Sequence, residues 1–417
     1  MLSKWRWLLS QLTRTLWVRA ALFAVLGVLT ALLGIVADAF WPNSLAYNIG
    51  ADAVDGILNI LATSMLAVTT FSLNVMVAAY SAATATVSPR ATRLLRQDTT
   101  TQTVLATFIG SFLYSLVGII ALSTEIYSQT GRQVLFLATL VVIAIIVLTL
   151  LRWVEHLSRL GRVGETTGRV EEITTKTMAD RIANPCLGGV PLLGPDQVPA
   201  DAEPLFSDRT GYVQHLDVGL LSHWAEAHQG QVFVAALPGA FVAANRPMAW
   251  SVAQRGADRD ALLEAFTVGE ERSFDQDPRF CLSVLAEIAA RALSPAVNDP
   301  GTAIDVIGRA VRILGLWENY TAPKTPTHPR VCVPPLATKD LFDDIFTTVA
   351  RDGAGMIEVQ LRLQKALGIL AAIDCEGFAE NARRHSEQAL IQAEAKLPLE
   401  SEKQSLRNLS RAICQDF

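Results

Sequence analysis

The polar and ionisable residues of this 417-residue chain that could do chemistry gather in two places. One is a charged cluster between positions 271 and 299. Its candidate functional residues are Arg272, Asp277, Glu287, Arg291, Asn298 and Asp299, with Glu271, Asp275 and Arg279 beside them. Such a cluster serves either as helix caps and ion pairs fixing two helices at a sharp turn, or as a contact for an ion, a small ligand or a second subunit. The other place is a stripe in an apolar run. Between Asp55 and Arg90 the only ionisable side chain is Tyr80, and at about 100° per residue Asn59, Thr63, Thr70, Asn74 and Ser81 share a sector of roughly 60°. Carboxamides facing lipid are costly, so the stripe faces other helices or water. It either joins helices in a bundle or lines a hydrated path. On the second reading Asp52 and Asp55 form an outer mouth, and Arg90 and Arg93 an inner one.

Other chemistry lacks its residues. The six histidines make no HExxH, and His223 and His228 stand five apart, off the spacing that presents two ligands on one helix face. No GxxxxGK[ST] loop, GxGxxG fingerprint or GxSxG elbow occurs, so neither an enzyme nor a bound cofactor or metal is expected. The five cysteines (Cys186, Cys281, Cys332, Cys375 and Cys414) are odd in number and lack CxxC spacing, which suits free thiols in a reducing cytoplasm. A net charge of −5, without basic residues interleaved with aromatics, gives no reason to expect nucleic acid as a partner.

The elements that must position these residues follow from hydropathy. The chain is 51 % hydrophobic and 18 % charged, but that average hides a strongly apolar first 154 residues and a remainder of soluble character. Residues 1–19 carry three tryptophans and four basic residues, as an amphipathic helix at a membrane surface would. Four spans are expected within 20–154, at about 20–39, 57–82, 103–122 and 134–151. A signal peptide is the rival for the first run, which is longer than a usual signal core. Small residues Gly110, Ser111, Ser115 and Gly118 in span three permit close helix approach, and span four is so uniformly aliphatic that it should face lipid. Basic residues crowd the flanks before span one, after span two and after span four, which puts both termini in the cytoplasm.

Beyond the spans, residues 155–183 read as a helix continuing from span four, and 184–204, with five prolines, as a linker. A cytoplasmic α+β domain is expected over 205–335, with strands at 211–217, 231–237 and 248–252 and a helix at 218–228. Within it a helix should run from Phe280 to Ser294-Pro295, and a second should start at Pro300 behind an Asp299 cap. A Pro-rich break over 321–335 precedes a helical tail, 336–417. The fold class is therefore an α-helical integral membrane domain of four transmembrane helices, plus a cytoplasmic α+β domain with a helical C-terminal tail.

Phe71-Ser72-Leu73 followed by Ser88-Pro89-Arg90 resembles the FS…SPR signature of a family of bacterial predicted membrane proteins. Glu271-Arg272-Ser-Phe-Asp-Gln-Asp277 and Arg291-Ala-Leu-Ser-Pro-Ala-Val-Asn-Asp-Pro300, continued by Thr302-Ala303, resemble its other hallmark. The family is the domain of unknown function numbered 2254. Gly301 departs from its usual aromatic residue at that place. The resemblance implies an integral membrane protein with a cytoplasmic module, and no activity.

One subunit supplies only one polar stripe, so a pathway would need several copies of span two around an axis. The expected function is a homo-oligomeric bacterial inner (plasma) membrane protein that conducts an ion or small ligand along span two, under control of its cytoplasmic domain. The alternative is a membrane-anchored sensor or scaffold whose cytoplasmic domain binds a ligand or protein. In both, the lipid bilayer is a partner.

Overall fold

The computed structural model of the protein describes residues 51–96, 98–124, 129–159, 161–254, 257–319 and 325–416, with positions 21, 25, 28 and 29 ahead of them. Apart from those four positions, the amphipathic segment 1–19 and the expected first span, 20–39, lie outside the described residues. The chain divides into two compact units: a helical unit of residues 51–85 and 92–165, and a mixed unit of 86–91 and 166–416.

The helical unit contains α1 (Ala51–Thr86), α2 (Ala91–Arg96), α3 (Thr99–Ser123) and α4 (Gln129–Arg159). Three of its helices are long and apolar enough to cross a membrane, over Ala53–Thr84, Thr100–Ser123 and Gly131–Ser158. One face of α1 is buried. Val54, Leu58, Leu61, Met65 and Ser72 recur at threes and fours along it, and they pack with Val104, Phe108, Tyr114, Leu135, Ile146 and Trp153. The small residues of α3 do permit close approach: a Cβ at Gly118 would sit 2.9 Å from Leu58 Cδ1. Along α4, Leu137, Leu140, Val141, Ile145, Leu148 and Leu151 are exposed, as a lipid-facing helix requires.

Polar ties fasten these helices. The Trp153 indole N–H donates to Ser72 Oγ at 2.9 Å in a buried contact. Asp98 caps α3 by accepting from the Thr100 and Thr101 amides, and His156 Nε2 lies 2.7 Å from Asp98 Oδ2. The helix expected to run unbroken from span four is interrupted. After Arg159 the chain turns through Gly161 at φ +82, and α5 (Val163–Ala183) begins afresh.

In the mixed unit the strands are β1 (Gly189–Pro191), β2 (Glu203–Phe206), β3 (Gly211–Leu216), β4 (Gln231–Val234), β5 (Phe241–Val242), β6 (Pro247–Val252), β7 (Phe266–Gly269) and β8 (His328–Val333). They form a five-stranded sheet, β1-β8-β4-β6-β2, and a three-stranded sheet, β5-β3-β7. Helix α6 (Val218–Ala227) contributes Val218, Leu221, Trp224 and Ala225 to the core they share, and α7 (Asp260–Leu263) adds Leu262. Two expectations fail here. Residues 184–204 are no linker: they supply both edge strands and bury Cys186, Leu187 and Leu192. The break at 321–335 contains β8, an inner strand with Val331 and Val333 buried. Prolines hid both. In the first case Pro191 and Pro204 stand in edge strands, where a missing N–H is tolerated, and Pro185 and Pro195 open short 3-10 turns; in the second Pro329 lies near the start of β8 and Pro334 directly follows its end.

Six helices complete the unit: α8 (Pro278–Ala292), α9 (Pro300–Leu314), α10 (Thr338–Asp352), α11 (Ile357–Ala371), α12 (Phe378–Glu394) and α13 (Glu400–Asp416). The two helices expected around Ser294–Asp299 are α8 and α9. Within the tail, His385 is buried against Phe342 and Phe346, and its Nε2 lies 3.0 Å from Asp343 Oδ1. Burial, then the neighbouring Arg384 charge, pushes the imidazole down to about 4. Burial would raise the Asp343 carboxyl, but hydrogen bonds from Lys339, Arg384 and His385, together with the Arg384 charge, hold it down at about 2.

Between pH 6.5 and about 4 the unfolded chain holds a proton on His385 that the folded chain does not. The stability this site confers is complete above pH 6.5 and falls as the pH drops toward 4. Acidification across that window should cost the tail roughly 2–3 kcal/mol, read as a falling melting temperature, and His385→Gln should flatten the slope.

Candidate functional site

Helix α8 gathers most of the charged residues singled out by sequence, but in two separate groups. At its N-terminus Asp277 is the cap, accepting from the Phe280 amide at 3.0 Å. Arg272 grips the same carboxylate with two bonds, Nε to Oδ2 at 2.7 Å and Nη2 to Oδ1 at 3.0 Å, while its guanidinium lies 5.0 Å from the centre of the Phe280 ring. Asp277 is 2 % exposed, and burial pushes its carboxyl up, against the bonds from Arg272. Arg181, buried on α5, adds a second cation. Burial brings it down to about 10, partly countered by Asp277, and it donates to the Gln276 carbonyl at 2.9 Å. Beside them Gly239 sits at φ +94, where a Cβ would lie 2.1 Å from Asp277 Oδ2. No side chain other than hydrogen fits there.

The second group lies further along α8. Glu287 Oε2 accepts from the Ser88 hydroxyl at 2.6 Å, and its other oxygen accepts from the Arg90 guanidinium. Ser88 Oγ in turn accepts the Arg90 amide at 3.2 Å, closing a tight turn around Pro89. Thus Arg90, expected at an inner mouth, and Glu287, expected in the cytoplasmic cluster, form one contact inside the mixed unit. Arg291 stands one turn beyond Glu287 and is half-buried; its carbonyl accepts from Ser294. Asn298 is exposed and takes the left-handed conformation at φ +50 that lets the chain re-enter a helix. Asp299 caps α9 by accepting from the Thr302 amide and hydroxyl at 3.1 and 2.6 Å, and these bonds hold its carboxyl below the usual range. Asn298 and Asp299 are separated from Asp277 by the length of α8, about 22 Å. The cluster is therefore a capped and clamped helix rather than one constellation.

The stripe residues Asn59, Thr63, Thr70, Asn74 and Ser81 are all exposed. They lie on α1 roughly 150° from its buried face, so they do not join it to α3 or α4. Thr63 and Thr70 return their hydroxyls to the carbonyls of Asn59 and Leu66. Asn59 donates to the Asp55 carboxylate at 3.0 Å, which brings one stripe residue and one mouth residue together. The side chain of Asp52 falls outside the described residues, and Arg93 is half-buried.

Sequence reasoning missed Arg181 and Gly239, the His156–Asp98 pair, and the pairing of Arg279 with Asp340 and Asp344 of α10. The Asp98-Thr-Thr-Thr101 cap was a local signal that could have been read. The remainder are contacts across long sequence separations. The five cysteines are free, and among the described residues no group of three or more His, Cys, Asp or Glu is placed to hold a metal.

A family model described as Predicted membrane protein (DUF2254) matches residues 13–368. The chain belongs to that family. The DUF2254 match takes in α1 to α10, both charged groups on α8 and most of α11. The chain is also 28 % identical over 275 residues to two uncharacterised proteins of Mycobacterium tuberculosis and one of Mycobacterium bovis. Each alignment covers 60 % of this chain and 50 % of the relative, so the chain spans about half the length of the curated relatives it matches. No solved structure matches it.

In this DUF2254 chain Gly239→Ala should be among the most damaging small substitutions in the mixed unit. A methyl group there meets both left-handed backbone and the Asp277 carboxylate, a cost of about 3 kcal/mol or more. A loss of cooperative thermal unfolding, or a large drop in its midpoint, is the expected result.

Proposed function

We propose that this DUF2254 protein assembles as several copies in the bacterial inner membrane, with the stripe of α1 lining a shared hydrated path. The observation that carries this reading is the direction of the stripe. Two carboxamides and three hydroxyls lie on the face of α1 turned away from the helices that bury its other side. Facing hydrocarbon they would be expensive; around an axis shared with other copies they would meet water and one another. Asn74 would stand inside the path, and the Asp55–Asn59 pair at one end. With both termini in the cytoplasm, that end is the outer one and the mixed unit is cytoplasmic. An ion or small polar solute is the class of cargo such a lining suits.

A membrane-anchored sensor or scaffold is the second reading, favoured by the grip of Glu287 on Ser88 and Arg90 just beyond α1. Ion flux into liposomes separates the two. Purified wild-type protein should pass ions, and Asn74→Leu should lower the flux severalfold at unchanged yield and oligomeric state. Absence of flux for several ions and voltages, from folded oligomeric protein, favours the sensor.

A further inference from the structure

The chain passes between its two units at residues 85/86, 91/92 and 165/166. The first two flank a turn held by α8, and the third leads into α5, which bonds to the loop before α8 and, through Glu171, to Arg309 and Arg312 of α9. The loop between the first two is the Ser88-Pro89-Arg90 turn. Val87, Ser88 and Ala91 are buried, while Pro89 and Arg90 stay exposed. What fixes the turn from its polar side is Glu287, 199 positions away in sequence, which takes the Ser88 hydroxyl on one oxygen and the Arg90 guanidinium on the other. Beyond the third passage, α5 donates from Thr177 Oγ1 to the Phe274 carbonyl at 3.0 Å and from Arg181 to the Gln276 carbonyl. Helix α8 is itself anchored, by Asp277 at its start and by Arg279 to Asp340 and Asp344 on α10.

We infer that Glu287 is the coupling residue of the molecule, a latch that ties the end of the stripe-bearing helix α1 to α8 through Ser88 and Arg90. Its chemistry suits the task. A carboxylate held by one guanidinium and one hydroxyl makes charge-assisted bonds, strong enough to fix the turn. Because Glu287 and Arg90 are only partly shielded from solvent, the bonds can also be broken without leaving a charge stranded in the core. A change in α8, anchored as it is to α10, would then reach α1 along this contact, and a change in α1 would return the same way.

The latch rests on the channel reading only for what it controls; its existence does not. Two readouts on the full-length protein in nanodiscs keep them apart. The first is amide hydrogen exchange over residues 79–91 in wild type, Glu287→Ala, Arg90→Ala and the double variant. Each single change should speed exchange there by about tenfold or more, with the rest of the mixed unit unchanged, and the double variant should add little to either single one. Unchanged exchange over 79–91, or full additivity, overturns the latch. If Glu287→Ala fails to fold, Arg90→Ala alone decides, because Arg90 is exposed and can be removed without opening the core. The second readout is flux. Faster exchange with altered flux supports latch and channel together. Faster exchange with no flux even in wild type keeps the latch and removes the channel reading. Faster exchange with wild-type flux in every variant overturns the coupling role.

Discussion

The mixed unit is built around one carboxylate clamped where water does not reach. Asp277 ends an irregular loop, starts α8 and sits against the Gly239 backbone, so three parts of the chain converge on two oxygen atoms. Taking that charge out of water is expensive, and the expense is offset only if every lone pair finds a donor. Arg272 and the Phe280 amide supply those donors, with Arg181 adding charge from α5. Once Asp277 is satisfied in this way, the start of α8 is fixed. Arg279, two residues on, meets Asp340 and Asp344 of α10, whose buried Leu341, Phe342, Ile345 and Phe346 supply the packing that holds the tail.

Helix α1 shows a different economy. Its buried face uses Val54, Leu58, Leu61 and Met65 for dense packing, and close packing rather than hydrophobicity is what holds helices together in lipid. Its opposite face carries groups that packing does not need. Threonines that bond to their own backbone are nearly neutral in such a setting, whereas Asn59 recruits a carboxylate. The helix therefore has a face for holding its unit together and a face that remains available.

What could be read from sequence was what is local. Amphipathic periodicity placed α8 within two residues, an Asp-Pro cap placed the start of α9, and three of the four long apolar runs correspond to helices able to cross a membrane. The membership of the family was legible too, because its motifs are short and contiguous. The partners of the candidate residues were not. Glu287 meets Ser88 across 199 positions, and Asp277 meets the Gly239 backbone, and nothing in either neighbourhood of sequence names the other. The two proline-rich stretches hide strands for a more specific reason: proline signals a break, yet it is tolerated in an edge strand, as at Pro191 and Pro204, and near the end of a strand, as at Pro329. Of the three glycines in 155–183, Gly161, Gly164 and Gly168, nothing local marks Gly161 as the one whose left-handed conformation breaks the helix.

The same edge strands bear on how copies of this molecule can meet. In the five-stranded sheet one border is β1, three residues ending at Pro191, and the other is β2, four residues including Pro204. Short borders that lack an amide make poor templates for a strand from another chain. Growth of this sheet by strand addition is disfavoured even though its borders are not wrapped into a barrel. Copies of the unit brought close together would therefore gain little by adding strands to this sheet.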